Sequence, residues 1–198
     1  MLPVLVRSLT FLTIVLGAGA PVGAQPMTAD PNKWRPVNYS DLQLPGEAAL
    51  PYASLWSDQL QHNNRAYETR GDRRFAAANA PAAASHIVVR SSSRVVVLSV
   101  LHTLTSCTTL RTDRPANAVL KKCPMRLAVY ERGGLSVANA GQGCFIEYGR
   151  TETGAPDLVR NITMGAYEME SRTIRAGTIF AGQRADECQF RVPVPSSR

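Results

Sequence analysis

The chain has 198 residues, 44% of them hydrophobic and 19% charged, and a formal net charge of +7. That apolar content excludes a disordered chain, and the length suits one domain with a real core. The positive charge is compatible with solubility or with an acidic or anionic partner, and it does not choose between them.

Residues 1–24 read as a secretory signal peptide. Arg7 gives a basic start, Leu9–Ala20 an apolar stretch, and Val22-Gly23-Ala24 a small-residue cleavage site before Gln25. The stretch is short and glycine-broken for a membrane span. The longest later apolar run, Val95–Leu98 with Val100 and Leu101, is strand-sized. The expectation is an exported mature chain.

Residues 25–51 form an extended arm. Pro31, Pro36, Pro45 and Pro51 punctuate it, which stops a regular helix and disfavours a central strand. Both tryptophans, Trp34 and Trp56, lie in or beside it, together with Tyr39 and Tyr52. Large aromatics need a surface to bury against. The arm is therefore expected to dock, with Trp34, Tyr39, Leu42, Leu44, Tyr52 and Trp56 as partner-binding anchors. Residues 52–85 come next. Trp56, Leu60 and Tyr67 share one face of a short amphipathic helix that Gly71 ends, and the alanine-rich Asp72–Ser85 reads as a helical turn and linker.

Residues 86–198 read as a β-domain. Strands are expected at His86–Arg90, Arg94–Leu101, Met125–Tyr130, Gly143–Gly149, Leu158–Glu170, Arg172–Ala181 and Glu187–Val192, with a polar loop after Cys107. Short strands separated by turn signals, without helical crossovers, predict a mainly β fold. The expected form is an antiparallel β-sandwich or barrel with a short N-terminal helix and an extended arm. Cys107, Cys123, Cys144 and Cys188 are even in number, so an exported chain should hold them as two disulfides. Three pairings are possible. Cys107–Cys123 with Cys144–Cys188 is favoured, because the first closes a short polar loop and the second ties the last strand back.

No motif points to chemistry; a carboxylate pair assembled in space stays open, but nothing in the sequence raises it. His62, His86 and His102 read as surface or strand-end histidines, and the cysteines lack C-x-x-C spacing, so no metal ligands are expected. The absence of C-x-x-C-H removes covalent haem by motif. Gly141-Gln142-Gly143-Cys144 with His102 as base would make a cysteine nucleophile, but an oxidised cysteine after a glycine-shaped turn accounts for the same residues. No G-x-S-x-G elbow appears. Catalytic and cofactor-binding residues are therefore expected to be none. The basic residues of Arg65–Arg94 and Arg111–Lys122 are not interleaved with aromatics, so no nucleic-acid partner is expected.

The arm WRPVNYSDLQLPGEAALPYASLW, followed by SHIVVRSSSRVVVLSVLHT and a pair of cysteines, resembles the small third subunit of the membrane-bound quinohaemoprotein alcohol dehydrogenase of acetic acid bacteria. The resemblance covers nearly the whole mature chain. It implies a non-catalytic periplasmic subunit with no cofactor of its own, which stabilises or helps assemble its partners. The implied partners are a dehydrogenase subunit carrying pyrroloquinoline quinone (PQQ), calcium and haem c, and a tri-haem cytochrome c subunit that reduces ubiquinone. Membrane contact would come only through these partners. The residues alone also admit a free-standing periplasmic β-sandwich that binds a ligand or inhibits an enzyme.

Overall fold

A computed structural model describes residues 34–43, 50–71, 80–131, 134–149 and 155–196. The expected signal peptide, the arm before Trp34, Leu44 and most of the alanine-rich segment lie outside the described residues. Along the chain come β1 (Arg35–Pro36), β2 (Asn38–Asp41), α1 (Leu50–Leu55), α2 (Ser57–Thr69), β3 (Ala82–Arg90) and β4 (Arg94–Thr103). These are followed by β5 (Thr108–Asp113), β6 (Ala118–Glu131), β7 (Gly134–Tyr148), β8 (Ile162–Glu168), β9 (Thr173–Phe180) and β10 (Gln183–Pro193). The strands make two antiparallel sheets packed as a sandwich. One has four strands in the order β1-β8-β9-β10; the other has six, in the order β2-β3-β4-β6-β5, with β7 also paired to β6.

The run Arg94–Thr103 is apolar at nearly every position because β4 is covered on both faces. Val96, Leu98 and Val100 face the sandwich interior with Met125, Leu127 and Val129 of β6 and Ile174 of β9. Val97 and Leu101 face outward, where Leu55, Trp56 and Leu60 of the helical segment cover them. Gly165 permits close approach of the sheets, since a Cβ there would overlap the Ile87 side chain.

The arm straps the two sheets together. Its first strand pairs with β8 (Arg35↔Gly165) and its second with β3 (Asn38↔His86), and between them the Val37 amide donates to the Thr163 carbonyl at 3.0 Å. Pro36 is tolerated because β1 is an edge strand.

Both disulfides are the favoured pairs. β4 pairs with β6 as far as Val100↔Met125, and β5 takes over the same edge from Thr108↔Lys122. Between these points Leu101–Thr103 stay paired to β3, so the sheet forks. Cys107–Cys123 closes that fork, across a sequence separation of 16, and Cys144–Cys188 joins β7 to β10 across 44. In the chain-entropy model these closures contribute about 3 and about 4 kcal/mol.

Several element expectations need correcting. Leu50 and Pro51 belong to α1 rather than to an extended arm, because a proline fits the first turn of a helix, where its missing N–H is not needed. The helix breaks at Trp56 into α1 and α2, and Gly71 (φ 78°) ends the second. Ala82–Ser85 are strand, not linker, since β2 and β4 pair with them on both sides. Thr108–Asp113 are strand, not loop; their polarity reflects an exposed edge. Leu158–Asn161 turn rather than extend, because the Asp157 carboxylate accepts from the Val159 and Arg160 amides. The Gly141 region is a bulge inside one long strand, not a turn before one. Three β7 residues span the step that two β6 residues cover (Pro124↔Gln142, Arg126↔Asn139), with Gly141 at φ 87°.

Candidate functional site

The structure distributes the expected anchors unequally. Leu42 is 0% exposed and Trp56 1%, both in the cluster between the helices and the six-stranded sheet. Trp56 Nε1–H donates to Ser99 Oγ at 2.8 Å, and His86 Nδ1 lies 3.1 Å from the same oxygen. An indole can only donate, so Ser99 accepts from Trp56 and its own proton is free for His86 Nδ1. Tyr52, half-buried, stacks on the His86 ring at 3.6 Å between centroids. Burial lowers the His86 pKa to about 4. His86 is thus a core residue and not a strand-end surface histidine, whereas His62 is exposed on α2.

Arg126 of β6 fastens this layer. Its guanidinium lies 4.5 Å from the Trp56 ring centre, donates to the Leu55 carbonyl at 2.8 Å, and grips both Asp58 carboxylate oxygens. The Asp58 carboxyl is held well below the usual carboxylate range by that pairing. Leu42 and Trp56 are therefore corrected from partner anchors to core residues: their surface is taken up within this chain. Trp34 is half-buried, with Arg175 5.6 Å from its ring centre, and Leu44 lies outside the described residues.

Tyr39 belongs to a different feature. Residues 121, 123, 125, 127 and 129 of β6 project from one face, and Cys123, Met125, Leu127 and Val129 fill the sandwich core. Lys121 ends that row, where the interior opens into a cleft of about 850 Å³ lined by Tyr39, His102, Lys121, Phe145, Glu147 and Leu158, among others. Lys121 Nζ lies 2.9 Å from His102 Nε2 and 2.5 Å from Glu147 Oε2. The His102 ring stacks on Phe145 at 4.8 Å, and Tyr39 meets the edges of Phe145 and Tyr148 at 5.4 and 5.9 Å. Burial, then the Lys121 charge, lowers the His102 pKa, with Glu147 opposing, so the imidazole is neutral. Tyr39 is 40% exposed, and burial, then the neighbouring Tyr148, raises its hydroxyl pKa well above the usual value.

The third feature is β7. Its second half is buried from Gly143 to Ile146, while Gly134–Asn139 and Gly141–Gln142 are exposed. The stretch Gly134–Gly141 (GLSVANAG) holds no charged residue and no proline. Leu135 pairs with Tyr130 and Val137 with Ala128, so both extend the apolar outer face beyond the helices, at 48% and 46% exposure. Among the described residues β7 pairs with β6 alone, which leaves its other backbone edge open.

Sequence reasoning missed both the cleft and the open edge. His102, Lys121 and Glu147 lie on three strands, and only the register joins them. The alternation of Leu135 and Val137 in an uncharged run was the available signal for the edge. Cys144 is disulfide-bonded, which removes it as a nucleophile. Among the described residues no three His, Cys, Asp or Glu side chains gather to hold a metal, and no helix is long and apolar enough to cross a membrane. The two disulfides fit an oxidising compartment. No family model, curated protein or solved structure matches the chain.

Proposed function

We propose that this chain is a non-catalytic periplasmic accessory subunit, which stabilises or helps assemble the PQQ- and haem c-bearing subunit of a membrane-bound alcohol:ubiquinone oxidoreductase. The observation that carries the proposal is the open edge of β7. Folded proteins guard long edge strands with charge, proline or a covering element, because bare ones pair with other chains. Gly134–Gly141 has no charge and no proline, no described residue covers it, and it sets Leu135 and Val137 beside its open backbone edge. An edge of this kind takes a partner by strand addition: backbone hydrogen bonds supply affinity and the alternate apolar side chains supply register. The resemblance of the arm to the small third subunit of the quinohaemoprotein alcohol dehydrogenase supplies the identity of that partner. Trp34 and the exposed face of Tyr39 remain available as further contacts.

The test is capture of the tagged full-length chain from detergent-solubilised membranes of an acetic acid bacterium that makes the dehydrogenase. A retained, red, haem-containing partner is the expected result. A colourless monomer would contradict the proposal.

A further inference from the structure

The cleft at the end of the sandwich has a composition that accessory docking does not use. Its wall is aromatic: Tyr39 is exposed, and the buried Phe145 ring packs between Tyr39 and His102. Its rim is apolar, with Leu104 and Leu158 at 54% and 50% exposure. Its charged lining is Lys121 and Glu147, in contact and beside the His102 imidazole, together with Asp41. A cavity of about 850 Å³ with an apolar wall and a few convergent polar groups is the usual form of a small-molecule site.

The charged lining decides the class of ligand. A carboxylate head group near Lys121 would also meet the Glu147 carboxylate, and an ammonium near Glu147 would meet Lys121. Either charge would be taken out of water for a pair of opposing charges that already satisfy one another. A hydroxyl group escapes both penalties, because it accepts from the lysine ammonium and donates to the carboxylate. We propose that this cleft binds an uncharged, ring-sized apolar compound bearing a hydroxyl group, such as a phenol or a cyclic alcohol, with its ring on the exposed Tyr39 and Leu158 and its hydroxyl alongside the Lys121–Glu147 pair. The proposal does not rest on the accessory-subunit reading, and it holds for the isolated chain.

The experiment is a nuclear magnetic resonance titration of the isotope-labelled mature protein with three probes of matched shape: para-cresol, para-toluate and para-methylbenzylamine. Para-cresol is expected to saturate, with a Kd of about 1 mM or tighter and shifts centred on His102, Lys121 and Phe145. The two charged probes are expected to bind at least about tenfold more weakly. Glu147→Gln, at a half-exposed position, is expected to keep the fold and to bring para-toluate to within about threefold of para-cresol. The absence of saturable shifts at the cleft would overturn the proposal. So would para-toluate binding the native protein as tightly as para-cresol, or Glu147→Gln leaving the toluate affinity unchanged.

Discussion

Trp56 beside the arm and Val137 on β7 face the same outer side of the six-stranded sheet, yet Trp56 is 1% exposed and Val137 46%. The first lies in the helical layer over β3 and β4, and the second on an edge strand. Around Trp56 the chain supplies everything a buried aromatic needs: apolar neighbours in Leu55, Leu60 and Val97, an acceptor in Ser99, and a cation in Arg126. Around Val137 it supplies a pairing partner on one side and nothing described on the other. On this outer face, aromatic content marks where the fold closes on itself. The surface proposed there for another chain is marked by missing charge, missing proline and no described cover.

Trp56 is the first place to challenge that contrast. Trp56→Ala should cost about 3–5 kcal/mol in equilibrium urea unfolding, since it opens a cavity and strands the Ser99 and His86 polar pair. A loss below about 1 kcal/mol would mean the helical layer is not core. Replacing Cys144 and Cys188 together with serine should cost about 4 kcal/mol, against about 3 for the Cys107 and Cys123 pair. The reverse order in denaturation midpoints would show that β7 does not depend on its tie to β10.

Acid probes the buried side separately. The His86 pKa is lowered from 6.5 to about 4 by burial, so near pH 7 both folded and unfolded chains carry a neutral imidazole. As pH falls from 6.5 towards 4, only the unfolded chain takes up the proton, and stability drops by up to roughly 3 kcal/mol. His86→Gln should flatten the stability–pH curve in that window. An unchanged slope would show that His86 is not held neutral in the core. The smallest effect belongs to β7: Val137→Lys should change monomer stability by no more than about 0.5 kcal/mol, because an exposed edge position carries little of the fold. A loss above about 2 kcal/mol would make β7 a core element instead of a surface.

Much of this architecture was legible from residues alone. The β-branched runs of β3 and β4 and an antiparallel sandwich or barrel followed from local pattern, and cysteine position favoured the observed disulfide pairing among the three possible. The arm was legible as a segment that must lie on something, but its target was not. Whether Trp56 is buried inside or outside the chain depends on Ser99 and Val97, 43 and 41 positions away, which only sheet register brings beneath it. β5 was missed because an exposed edge is polar, and the first half of β7 because its alternation is confined to Leu135 and Val137 among small residues. The Lys121–His102–Glu147 cluster was illegible because three strands must align to make it.

β7 is the surface proposed to meet a dehydrogenase partner. The most direct measurement is parallel capture, from detergent-solubilised membranes, of the tagged native chain and its Val137→Lys variant, with retained haem quantified. A haem-bearing partner is expected with the native chain, and at least about a tenfold loss of it with Val137→Lys, both proteins being equally folded. Equal retention by the two, or no haem with either, would contradict that assignment.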